Sequence, residues 1–194
     1  MGRKSTSVWG GVLGIVLLAA GCGNAQKEAT EAAINAAQMA ISAVQTEAEK
    51  YVPDQLQAAQ GVLQSAKDAL AKGDYQKALA EAQDAANKAK ELAVAATAKN
   101  EEWTKDWAEL NRSLPKSMDA VKRKLEAYAR GAQMPEGLDK DKLAEAKTEY
   151  EQLKQVWADA SAAAARGNLG DALKKASGVK EVLAKLMVML GMKS

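Results

Sequence analysis

From Lys27 onward, apolar and polar residues alternate with the period of a helix. Ala33, Ala37, Ala40, Ile41, Val44, Ala48 and Tyr51 recur three and four apart, so they form one stripe of a helix predicted over about Lys27 to Glu49. Val52-Pro53-Asp54 ends it, because the residue before a proline avoids the α region and proline fits only the first turn of the next helix. A second helix, about Asp54 to Lys72, turns Leu56, Ala59, Leu63, Ala66 and Leu70 inward and stops at Gly73. Asp74 offers an N-cap oxygen to a third, expected from Tyr75 to about Leu110, either continuous or kinked, with Thr97 to Asn100 as the place for a kink. Ser113-Leu114-Pro115 is expected to restart the chain as a fourth helix over 114–130. Gly131 to Leu138 then reads as the longest loop. Asp139 or Asp141 opens a fifth helix, Gly167-Asn168 turns it, and a sixth covers about Gly170 to Leu190. The fold expected is all-α: long antiparallel helical hairpins packed as a bundle of about six helices.

Two of the turns repeat. A shift of 94 residues aligns Ala71-Lys72-Gly73-Asp74-Tyr75 with Ala165-Arg166-Gly167-Asn168-Leu169, and Ala78-Leu79 with Ala172-Leu173. Upstream the same shift pairs Val62 with Val156, Leu63 with Trp157, Ala66 with Ala160 and Ala69 with Ala163. These are two related hairpins, about 53–112 and 139–190, joined by the helix at 114–130. The run Gly73-Asp74-Tyr75-Gln76-Lys77-Ala78-Leu79, with Ala82 and Ala85 behind it, resembles the turn and second helix of a tetratricopeptide repeat, with longer helices and a longer period. The mature chain as a whole is similar to alanine-rich helical-hairpin lipoproteins of bacteria, a resemblance that carries no active site.

The N-terminus is an address. Arg3 and Lys4 precede an apolar stretch, Val8 to Ala20, that is too short and too glycine-interrupted for the roughly 20 residues of a spanning helix. It reads as a signal peptide over residues 1–21. Leu18-Ala19-Ala20-Gly21-Cys22 follows, and Ala19-Ala20-Gly21-Cys22 resembles the lipobox of bacterial lipoproteins. The resemblance implies cleavage after Gly21 and acylation of Cys22, the only cysteine. Two or more acyl chains give stable attachment where one gives marginal binding. Gly23 stands where the family carries aspartate for inner-membrane retention, which implies the outer membrane, facing the periplasm, or the plasma-membrane surface in a host with a single membrane. Residues 22–28 would be a short tether and 29–194 the helical domain.

Composition narrows the chemistry. Histidine and phenylalanine are absent, so the chain has no imidazole base, no Ser-His-Asp set and no His-ligated zinc. Of 27 basic side chains Arg3 and Lys4 lie in the leader, which leaves 25 against 25 acidic. A neutral chain lacks the basic excess that nucleic-acid binding draws on, so no nucleic-acid partner is expected. One local excess, with Lys116, Lys122, Arg123 and Lys124 at its centre, reads either as a solvated helix face or as a contact for anionic headgroups or an acidic partner. Glu101, Glu102 and Asp106, like Asp139 and Asp141, lack the spacing of a calcium loop, and neither a metal nor a cofactor is expected.

Trp103 and Trp107 lie four apart on one helix face, where Trp157 is expected to join them as core filling or as a platform for a partner or ligand. Met187 and Met189, in the apolar C-terminal run, read as the buried end of the last helix or as an adaptable docking surface. Together these features point to a non-catalytic, lipid-anchored scaffold or adaptor with an envelope protein as partner. The alternatives are an oligomeric alanine-rich spacer and a helical carrier of an apolar ligand. The sequence leaves the oligomeric state open.

Overall fold

Proline and capping chemistry set the element ends. In the computed structural model, which describes residues 23–192, five helices follow one another. They are α1 (Gly23–Tyr51), α2 (Pro53–Ala71), α3 (Tyr75–Ala129), α4 (Lys140–Ala165) and α5 (Leu169–Met189). No strand occurs among the described residues. Pro53 takes the first position of α2, where its missing N–H is no loss. Asp74, Asp139 and Asn168 each cap a helix, their side chains accepting from the backbone N–H of Lys77, Lys142 and Asp171.

The two repeated turns are the same object. Lys72 and Arg166 lie at φ −85° and −82°, and Gly73 and Gly167 both lie at φ +76°. The Asp74 N–H donates to the Ala69 carbonyl and the Asn168 N–H to the Ala163 carbonyl, each at 2.9 Å. Only a residue without Cβ takes that left-handed position freely, so the glycine sets where both hairpins reverse. Burial follows the same 94-residue shift. Leu56 and Tyr150, Ala59 and Leu153, Ala66 and Ala160, Ala82 and Ala176, Ala89 and Leu183, and Leu92 and Leu186 are all buried.

A second register, 77 residues, relates α1 to the far half of α3. Ala37, Ile41, Ala48 and Tyr51 match Leu114, Met118, Leu125 and Tyr128, all buried, and half-buried Val44 matches Val121. Each of the two tyrosines reaches the third helix of its own bundle. The Tyr51 hydroxyl bonds Asn100 Oδ1 at 3.0 Å, and the Tyr128 hydroxyl donates to the Leu190 carbonyl at 2.8 Å. The molecule is therefore two three-helix bundles of one plan. The first is α1, α2 and the near half of α3; the second is the far half of α3 with α4 and α5. In each, the first and third helices run parallel and the middle one returns. The third helix of the first bundle is continuous with the first helix of the second.

The all-α bundle expected with about six helices is present with five. The continuity of α3 corrects two expectations. Pro115 restarts nothing and lies inside α3. The helix also passes through Thr97 to Asn100 without interruption. The segment 114–130, expected to join two hairpins, is instead a packed member of the second bundle. The physical reason is the position of Pro115. It is exposed, and so is Asn111, whose carbonyl loses its N–H partner to the ring, so water can satisfy that oxygen. On the opposite side Trp107, Leu110, Leu114, Met118, Val121, Leu125 and Tyr128 keep an unbroken inward stripe across the proline. Burial of that stripe outweighs a cost of about 3 kcal/mol for an interior proline. At the N-terminus residues 23–28, the described part of the stretch expected as a tether, are already helical.

Candidate functional site

Gly21 and Cys22, expected as the cleavage and lipidation positions, lie outside the described residues, as does the stretch expected as a signal peptide. α1 is helical from Gly23, the first described residue, and packs along α3 for most of its length. The buried Thr30 hydroxyl donates to the Gln26 carbonyl at 2.8 Å and lies 3.4 Å from the Tyr75 carbonyl, which puts the start of α3 beside the first turns of α1. From that end α3 extends 55 residues, about 80 Å at 1.5 Å per residue, to the loop that follows Ala129. Among the described residues no helix is long and apolar enough to cross a membrane.

The three tryptophans do not form one platform. Trp107 and Trp157 stack with centroids 5.5 Å apart and planes 19° from parallel, joining α3 to α4 as expected. Trp103 turns elsewhere. Its ring meets the Tyr51 ring edge-on at 5.3 Å, and a Cβ placed on Gly170 would lie 3.0 Å from it. The separation has a simple cause: Trp103 sits where the first bundle ends and the second begins, so it fills the seam between the end of α1 and the start of α5. All three rings are half-buried. Tyr51, expected on the inward stripe of the first helix, completes that seam with Asn100 and Gly170, which the sequence marked only as segment bounds. The one available signal was the tyrosine that closes both α1 and α3 at matching positions.

Met187 and Met189 are divided between the two alternatives. Met187 packs against the core of the second bundle, while Met189 is 38% exposed beside Val188, at 72%. Loop residue Pro135 lies against Gly191, and Leu138 is buried, so the long loop closes the end of the rod around them.

The basic run on α3 is largely answered by its own helix. Arg123 pairs with Asp119 at 2.8 Å, Lys122 approaches Glu126 at 3.9 Å, and the Lys124 ammonium lies 4.9 Å from the Tyr128 ring centroid. Lys116 is exposed. These are i,i+4 pairs on a wet surface, which dilutes the local positive field that an anion would feel. A shallow groove of about 210 Å³ between α3 and α4 brings Lys122, Lys147 and Lys154 together with Glu126 and Glu151. Burial there pushes the Tyr150 phenol above its ordinary range, and the hydrogen bond that the Lys154 ammonium donates to Glu151 holds Lys154 above its own. Neither shift makes an acid or base for neutral pH. Among the described residues no group of three or more carboxylates, cysteines or histidines is placed to hold a metal.

A different surface stands out by what it lacks. Residues 32–46 of α1 and 55–66 of α2 carry no charge; no other uncharged run within the helices is longer than seven residues, in a chain that is 27% charged. The two runs lie on neighbouring helices. A groove of about 250 Å³ between them is lined by Gln38, Ser42, Gln45, Gln60 and Gln64 together with Lys67, which follows the second run, and Met39 beside it is 67% exposed. Comparison of the chain with protein-family models, with curated proteins and with solved structures gave no match.

Proposed function

We propose that the protein is a lipid-anchored cell-envelope scaffold or adaptor, non-catalytic, that carries a helical rod away from the membrane. The observation that supports this reading is the meeting of a lipobox-like Ala19-Ala20-Gly21-Cys22 with a chain that is already helical at Gly23, the first described residue. An acyl anchor followed by a flexible tail would let a domain wander. An acyl anchor followed by a helix that is exposed over residues 24–29 and packed from Thr30 onward ties one end of a rod about 80 Å long to the bilayer. Long exposed helical faces then become available to partners at set heights. Gly23 after the cysteine favours the outer membrane, with the rod in the periplasm.

Metabolic labelling with palmitate, together with membrane fractionation, tests the anchor. The native chain is expected to take the label and sediment with membranes, and Cys22→Ser to lose both. A native chain that stays unlabelled would sink the proposal. In-cell cross-linking with mass spectrometry would then identify the envelope partner.

A further inference from the structure

We infer that α3 is a hinge between Thr97 and Ser113, at which the second bundle tilts against the first in one preferred direction. The inference goes beyond the anchored reading and does not depend on it. In the packed helices past Thr30 buried residues recur every three to seven positions. From Thr97 to Ser113 α3 has none, over about 25 Å of its length. α1 and α2 pack against each other and the near half of α3, and α4 and α5 against each other and the far half. Across this waist the two sets meet where the Trp103 ring lies on Gly170 and where the Lys50 ammonium sits beside Gly167. A single helix therefore carries most of the connection.

The backbone of that helix is weakened along one line. The Thr97 and Thr104 hydroxyls donate to the carbonyls of Ala93 and Asn100, each at 2.8 Å, and so compete with the helix's own N–H groups. Pro115 leaves the Asn111 carbonyl without its helical donor. With 3.6 residues per turn, Thr104 lies within about 20° of Thr97 around the axis, and Pro115, five full turns on, returns to the same angle. The three distortions therefore add instead of cancelling. A helix curves with its lengthened, solvent-side bonds on the outside, so this line is the convex side of the bend. Trp103 lies about 120° round from it, towards the inner curve, where its ring, held between Tyr51 and Gly170, is the stop that limits the bend. Threonine and serine back-bonds at Thr30, Thr148 and Ser161 lie at or beside buried residues, which hold those helices in place.

The consequence is a measurable swing. Ala129 stands about 30 Å beyond Leu110 along α3, so a bend of about 20° carries it about 10 Å sideways. The test uses the full chain with Cys22→Ser in detergent micelles, which leaves only introduced thiols and makes the outcome independent of acylation. Spin labels at Gln55→Cys, exposed at the start of α2, and Ala129→Cys, exposed at the end of α3, span the waist. Labels at Ala129→Cys and Ser177→Cys stay within the second bundle. By pulsed electron resonance the first distance distribution is expected to be wider than the second by about 3 Å, the projection of the swing on a line offset by one helix spacing. Trp103→Ala removes the stop and should widen it further. Thr97→Ala with Thr104→Ala and Pro115→Ala, which repairs the weakened line, should narrow it to the width found within the bundle, with circular dichroism unchanged. Equal widths in the native background, or a width that the triple change leaves as it was, overturn the hinge.

Discussion

The bare Cα of Gly170 is what lets the Trp103 ring lie across the start of α5. A methyl group there would stand 3.0 Å from a rigid ring already held by Tyr51, so it cannot be accommodated by rotating a flexible tip. Gly170→Ala is therefore expected to destabilise by about 1–2 kcal/mol through overpacking, although glycine to alanine in an open helix gains about 0.5–1 kcal/mol. Gly178 gives the contrast: a Cβ there meets nothing within 4 Å, so Gly178→Ala should stabilise by about that gain. Urea titrations of the two variants check the opposite signs, and stabilisation by Gly170→Ala would refute the tight seam. Titration behaves as simply as these contacts do. The Lys185 hydrogen bond lowers Glu181, a contribution present above the ordinary glutamate range and lost as pH falls through it. Lys154, Lys185 and Tyr150 are raised, and their contributions are present below their ordinary values and lost as pH rises through the shifted ones. With no histidine between these limits, the melting temperature should be flat from about pH 6 to 9 and fall on either side.

At the scale of elements, capping signals were legible and continuity was not. Asp74 caps the helix expected of it, Asp139 and not Asp141 caps α4, and Asn168, read only as part of a turn, caps α5, because a short side-chain oxygen next to a left-handed glycine or an open loop has few other uses. Pro115 misleads because a proline's local cost is visible in the sequence, whereas the stripe from Trp107 to Tyr128 that outweighs it draws its energy from α4 and α5. The tryptophans divide for the same kind of reason: Trp103 and Trp107 share a face, but four residues along α3 carry that face from one bundle to the next. Cys22 was legible only as part of a lipobox-like motif, which lies outside the described residues. Pro115→Ala tests the continuity directly. In an uninterrupted helix it restores the hydrogen bond to the Asn111 carbonyl and should stabilise by about 1–3 kcal/mol. If a new helix started at Pro115, the same change would be neutral or destabilising, and thermal unfolding distinguishes the two.

Over the whole molecule, one plan has been filled with two different cores. In the first bundle seven of the twelve core residues are alanine, whereas in the second only two of fifteen are, the rest being mostly leucine and other large side chains. The difference falls at matched positions: Ala59 against Leu153, Ala85 against Val179, Ala89 against Leu183. Each extra buried methylene contributes about 0.8 kcal/mol, so these three exchanges alone favour the second bundle by several kcal/mol. Close approach of alanine-lined helices recovers part of this as dispersion, but a methyl group makes fewer contacts than an isobutyl group at any separation. The bundle next to the proposed anchor is thus the less stable one, and the far bundle is the firm end of the rod. Local opening should follow that gradient, since exchange reports the cheapest unfolding that exposes each amide. Hydrogen exchange is expected to release amides of α1 and α2, such as those of Ile41 and Leu63, before those of Leu153 and Leu183. Along α3, protection should rise past Trp103 towards Leu125. Uniform protection would mean that the shared helix couples the two bundles into one cooperative unit, and Trp103, wedged between Tyr51 and Gly170, would then be the contact that does so. Trp103→Ala separates the cases: it should uncouple a cooperative rod into two transitions, but leave a rod that already opens stepwise with the same order of release.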